Sequence, residues 1–149
     1  MGSADDAREI ERLLYSYADA VDAGDLAAVG DLFRDGRVCG ETPDGPVTLA
    51  EGSEAVEAFY RSLVRMYDDG TPRTRHVTTN VGVDVDSRAG TASAASTYTV
   101  FQATDELPLQ AIIVGRYRDT FRRTRGRWWF ESRTMRADLT GDLSQHLLR

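Results

Sequence analysis

In residues 5–24, DDAREIERLLYSYADAVDAG, the apolar side chains of Ile10, Leu13, Leu14, Tyr17 and Val21 recur at steps of three and four. That spacing predicts an amphipathic helix with one buried stripe. Gly24 is the residue type that ends a helix in the left-handed conformation. Asp25 is then placed to cap a second, short helix carrying Leu26, Val29, Leu32 and Phe33. Asp35-Gly36 turns the chain into a short hairpin, RVCGE and PVTLA, around TPDG. Ser53 caps a third predicted helix, whose stripe is Val56, Phe59, Tyr60, Leu63, Val64 and Tyr67, and DDGTP closes it.

From residue 73 the period changes to two. RTRHVTTNVGVDVD, TASAASTYTVFQ, LQAIIVGRYRDTFRR and RWWFESRTMRAD predict four strands, with turns at Ser87–Gly90, near Pro108 and at Thr124–Gly126. Helices first and a long meander afterwards describe an α+β fold, with the helices packed on one face of a curved sheet. Neither an internal repeat nor a low-complexity linker interrupts the 149 residues, so one domain is expected over 1–149, with its core at about 5–138 and a tail at 139–149.

Composition removes several classes of chemistry. All 18 basic residues are arginines; without lysine there is no Schiff base and no lysine-held pyridoxal cofactor. The single cysteine, Cys39, rules out an internal disulfide and a thiolate cage, and two histidines, His76 and His146, cannot make a three-histidine metal site. No phosphate-loop, dinucleotide or nucleophile-elbow motif is present, so neither cofactor nor metal is expected. A net charge of -6 argues against a nucleic-acid partner, and the basic run RYRDTFRRTRGR suits a protected sheet edge. With no apolar run of membrane-spanning length and no signal-peptide pattern, a cytoplasmic protein is expected.

Three aspartates crowd the end of the first predicted helix. Asp19 lies opposite the apolar stripe and faces water, and Asp25 is a cap. Asp22 has neither role: it flanks the stripe in the last turn, where the helix dipole disfavours a carboxylate. His76 opens a strand, and strict alternation turns it the same way as Thr78 and Asn80, with Val77, Val81, Val83 and Val85 on the other face. It is also the only histidine in the body of the fold, since His146 lies near the C-terminus. Phe59, Tyr60, Tyr98, Trp129 and Arg133, with Asn80, are the candidates to line an interior pocket.

The order of elements, the stretch YADAVDAGDLAAVGDLF, the strand start RHVTTN and the closing RWWFESR resemble the SnoaL-like branch of the nuclear-transport-factor-2-like superfamily over roughly residues 5–138. The resemblance implies a cone in which three N-terminal helices close a curved mixed or antiparallel sheet over a pocket. Tyr17, Asp22 and His76 match the pattern of a Tyr and an Asp five apart and a strand-opening His in bile-acid 7α-dehydratases of this fold. Scytalone dehydratase and polyketide-cyclase-type proteins are similar more loosely: Val21 stands where the former has a tyrosine, and TASAASTYTVFQ lacks its second histidine. The resemblance also implies a cofactor-independent lyase or isomerase, a dehydratase or cyclase, with Tyr17, Asp22 and His76 catalytic and a polycyclic or aromatic-like carbonyl substrate of apolar character. A homo-oligomer is implied as well, a dimer before a trimer. A non-catalytic binding or assembly module and a dioxygenase small subunit are the rival functions for the same fold.

Overall fold

The computed structural model describes residues 2–148. Its helices are α1 (Ser3–Asp22), α2 (Leu26–Leu32) and α3 (Ser53–Leu63), and its strands are β1 (Arg37–Thr42), β2 (Gly45–Glu51), β3 (Thr74–Asp86), β4 (Thr91–Thr104), β5 (Leu107–Thr124) and β6 (Arg127–Thr140). The strands form one open sheet in the order β2-β1-β6-β5-β4-β3. Only β1 and β6 run parallel; the other neighbours are antiparallel. The sheet is therefore mixed, as the sequence resemblance implies, because the early hairpin joins the far edge of the late meander.

The helix stripe is the core. Ile10, Leu14, Tyr17 and Val21 are each at most 2% exposed and meet Val100, Tyr117, Phe121 and Phe130 from the sheet within one hydrophobic cluster. The end of α1 is closed by Gly24 at φ 74, with the Asp25 N–H donating to the Ala20 carbonyl at 2.9 Å. The Asp25 carboxylate then accepts from the Ala28 N–H at 3.1 Å and starts α2. At the other end of α1, Asp6 is 2% exposed and accepts from the Trp128 indole N–H at 3.0 Å and the Ser87 hydroxyl at 2.7 Å. These bonds hold the carboxyl of Asp6 below the usual carboxylate range.

Three departures from the sequence pattern shape the interior. The third helix ends at Leu63 rather than running on to Tyr67: Val64 is already extended and bridges Leu147, so the returning chain end gives this segment a strand partner. In β3 the register with β4 slips between Thr79 and Gly82, and Asn80 takes φ 53 in the resulting bulge. The expected alternation therefore reverses there. His76 and Thr78 share the inner face with Val81, Val83 and Val85, which pack against the core; Asn80 is exposed and does not line the interior. A second slip, between Thr120 and Phe121, leaves Glu131 as the extra residue of β6. Phe130 before it and Arg133 after it are both 0% exposed, so the bulge turns an arginine inward where plain alternation would turn it out.

Candidate functional site

Asp22 and His76 meet. The last turn of α1 packs on the start of β3, and Asp22 Oδ1 lies 2.6 Å from His76 Nδ1. The other carboxylate oxygen accepts from the His76 backbone N–H at 2.7 Å, and the Thr74 hydroxyl donates to Oδ1 at 2.9 Å. Three donors thus fix one carboxylate in a position where the two side chains are only about 10% exposed. With Asp22 ionised, Nδ1 carries the proton and the ring presents the Nε2 lone pair. Asp19, by contrast, is exposed.

Tyr17 lies in a second cluster. Its hydroxyl hydrogen-bonds that of Tyr60 and approaches Met135 Sδ at 3.8 Å, with no hydrogen bond to Asp22 or His76 among the described residues. Beneath it lies Arg133, whose guanidinium carbon is 4.3 Å from the Tyr17 ring centroid and 3.6 Å from that of Tyr117. Asp119 takes Arg133 in two parallel bonds of 2.8 and 2.9 Å, a bidentate ion pair sealed from water. Burial opposes the guanidinium charge, yet Asp119 outweighs it and raises the Arg133 pKa above its ordinary value. Arg133 Nη1 is buried without a partner among the described residues. Burial also pushes the Tyr17 phenol up, and that of Tyr98 up to about 12, so both remain proton donors at neutral pH.

The two clusters share the inner face of the sheet. His76 pairs with Val100 and Thr78 with Tyr98 in the β3–β4 ladder, and the Tyr98 ring stacks on Tyr117 at 4.2 Å, over Gly115. Phe59, half-buried, meets Tyr60 edge-on at 5.4 Å. Trp129 does not belong to this interior. It lies against Arg34 and Arg127 at 4.8 and 4.6 Å and lines a surface cleft with them. Tyr17, Tyr60, Tyr98 and Tyr117 pack on one another in this interior. Clefts of about 250 to 560 Å³ open on the outer sheet face and at the rims, and Tyr17, Asp22 and His76 line none of these five.

His146 is not remote, as its place in the sequence suggests. It is 5% exposed and lies within electrostatic reach of His76 and Asp22. Burial is the main cause that lowers its pKa to about 4. Thr74, two residues before His76, and Asp119, between Tyr117 and Phe121, share the inner faces of their strands by plain alternation; His146 carries no such signal, and the returning chain end brings it in. Among the described residues no group of three or more His, Cys, Asp and Glu is placed to hold a metal ion, and no helix is long and apolar enough to cross a membrane.

Relatives agree with this architecture. The β subunit of the methanesulfonate monooxygenase hydroxylase of Methylosulfonomonas methylovora is 36% identical over 101 residues, 62% of this chain and 55% of that protein. The chain thus spans about half the length of this curated relative. A protein from Novosphingobium aromaticivorans provisionally assigned as a scytalone dehydratase superposes with a TM-score of 0.70 at 25% identity, over 94% of this chain and 89% of its own. A nuclear-transport-factor-2-like protein with a cystatin-like fold, also from N. aromaticivorans, gives a TM-score of 0.71 at 22% identity, over 95% and 88%. The profile of the SnoaL-like domain matches residues 2–134, and the chain belongs to that family.

Proposed function

We propose that the protein is a cofactor-independent lyase or isomerase acting on an apolar carbonyl compound by proton abstraction. The observation that carries this is the Asp22–His76 pair, in which one carboxylate takes the ring Nδ1 at 2.6 Å and the backbone N–H at 2.7 Å, with no hydrogen bond to Nε2 among the described residues. Nε2 takes a proton from the carbon beside the carbonyl, and the electron pair of that C–H bond moves onto the carbonyl oxygen as an enolate. Returning the proton to a different carbon gives isomerisation, and collapse of the enolate with loss of a β-hydroxyl, which leaves as water with that proton, gives dehydration. Attack of the carbanion on a second carbonyl, whose oxygen then takes the proton from the imidazolium, gives cyclisation. Tyr17, protonated and held above the Arg133 charge, is the donor that stabilises the oxyanion, and the unpaired Arg133 Nη1 adds a second donor. Tyr60 and Tyr98 shape the apolar walls, and the protein works as a homo-oligomer built through the outer sheet face.

Deuterium wash-in tests this directly, since it needs no knowledge of the final product. Small bicyclic ketones are incubated with the protein in D2O and exchange next to the carbonyl is followed by NMR. His76→Ala and Asp22→Asn should each lower the exchange rate by about 10²-fold or more, and Asp19→Asn should leave it unchanged. The double variant should be little worse than His76→Ala, because the pair acts as one unit. Equal rates for wild type and both dyad variants would overturn the reading.

The similarity to a monooxygenase β subunit favours one alternative, an assembly subunit of that kind. Purification in a fixed ratio with a larger oxygenase chain, together with no exchange of any ketone, would establish that alternative instead.

A further inference from the structure

Five buried side-chain polar atoms lack a hydrogen-bond partner among the described residues: Arg65 Nε, Ser96 Oγ, Gln102 Oε1, Arg133 Nη1 and His146 Nδ1. Buried polar groups in folded proteins are nearly always paired, so an orphan at a site asks what fills it. Three of the five belong to one place, where the chain returns after β6 and docks across the end of α3. The His146 carbonyl accepts from the Arg65 N–H at 2.8 Å, and the Leu148 N–H donates to the Leu63 carbonyl at 2.9 Å. The Gln102 amide donates to the carbonyls of Gln145 at 2.9 Å and Pro72 at 3.1 Å, which fixes its orientation and leaves Oε1 as the unpaired end. The Tyr67 hydroxyl donates to the Gln145 carbonyl as well.

This place adjoins the dyad. Gln102 is paired with Thr74 in the β3–β4 ladder, two positions from the His76–Val100 pair, and it is Thr74 that donates to Asp22. We propose that His146 is a third polar group of the site, a substrate-binding residue whose ring hydrogen-bonds an oxygen of the molecule that His76 deprotonates. The inference rests on the proton-abstraction reading for the identity of that molecule, an oxygenated bicyclic or polycyclic compound. His146 is 95% removed from solvent and held by backbone bonds on both sides, while its buried Nδ1 has no partner among the described residues. With its pKa lowered to about 4, the imidazole is uncharged at neutral pH. It therefore serves as a neutral N–H donor to a carbonyl or enolate oxygen, or as an acceptor from a hydroxyl, and not as an acid carrying a spare proton.

Two ligands differing in one oxygen separate a polar contact from packing. The probes are 2-tetralone and tetralin, its hydrocarbon counterpart, titrated into wild type, His146→Phe and His146→Gln. The chain has only two histidines, so 15N-histidine labelling gives two imidazole signals, and Asp22→Asn should shift the titration of the His146 signal to lower pH. The expected result is that 2-tetralone perturbs the His146 signal and that His146→Phe weakens 2-tetralone about threefold to tenfold, as loss of one hydrogen bond does. His146→Gln should recover part of the loss, and tetralin should bind all three proteins alike. Equal weakening of both probes would make His146 a packing residue and overturn the proposal. So would unchanged affinity for 2-tetralone in both variants, or failure of wild type to bind it. If 2-tetralone binds as expected but no deuterium enters it, the proton-abstraction reading fails while the polar contact stands.

Discussion

One buried side chain ties the stability of this protein to pH in the mildly acid range. His146 carries its proton with a pKa of about 4 in the folded state, against an ordinary value of 6.5, because burial disfavours the imidazolium. As pH falls below 6.5 the unfolded chain takes up that proton first. Stability is therefore lost between about 6.5 and 4, by roughly 3 kcal/mol in all. The carboxyls of Asp6, Asp69, Asp138 and Asp142 lie below their ordinary value, so their contribution disappears only in more acid solution. Melting temperatures measured between pH 7.5 and 4 should fall for wild type, and the His146→Gln protein should lose much of that slope. A melting curve equally steep in the variant would assign the pH dependence to other groups. At this scale the sequence was informative about Asp22, whose place on the flank of the stripe set it apart from the capping Asp25 and the solvated Asp19. It was silent about His146, because proximity across 70 residues of chain leaves no mark in periodicity.

Elements place these residues through their ends and irregularities. Gly24, at φ 74, stops α1 directly after Asp22, and a methyl group there would run into the Gly70 carbonyl oxygen. Gly24→Ala should cost about 2 kcal/mol or more, from the left-handed backbone and the clash together, and a denaturant titration measures it. Gly115 lies under the Tyr98 ring, which an added Cβ would meet at 2.7 Å. Gly115→Ala should cost about 1–3 kcal/mol by overpacking, with near-ultraviolet dichroism reporting displacement of the stacked tyrosines. The helices and the meander were legible because their periods run for many residues. The bulges at Asn80 and Glu131 were not, because alternation is blind to one extra residue; hence Asn80 was expected inside and is outside, while the inward turn of Arg133 needs the bulge to explain it. Trp129 was exchanged with its neighbour in the same way: Trp128 is the one that the core accepts.

The molecule as a whole exposes more surface than a compact monomer of its size. Its accessible area is 8322 Å² at 16.5 kDa, where about 7,600 Å² is usual for a monomer of that mass. Part of the excess is apolar: Leu109 and Leu139, at 73% and 66% exposure, stand on β5 and β6, and Val47 and Leu49 stand on the β2 edge. Light scattering at micromolar concentration should give a species larger than 16.5 kDa, and Leu139→Arg should shift it towards that mass. A monomer in wild type would remove the oligomer from the proposed function without touching the dyad.

The parallel pairing of β1 with β6 ties residues 37–40 to residues 132–135, and Asp6 reaches Trp128 across a similar span. A chain joined so far apart along its length cannot settle from one end to the other. The β3–β6 hairpins are local and can form early, but the edge next to β6 stays open until the N-terminal elements arrive. Their arrival is also the event that carries Asp22 to His76, so a chain with only the β3–β6 meander formed would have no dyad. Refolding should accordingly fall in the slow range for sheet proteins, roughly milliseconds to seconds. The Trp128 indole, which bonds Asp6 only when α1 is in place, gives that final step its own fluorescence signal.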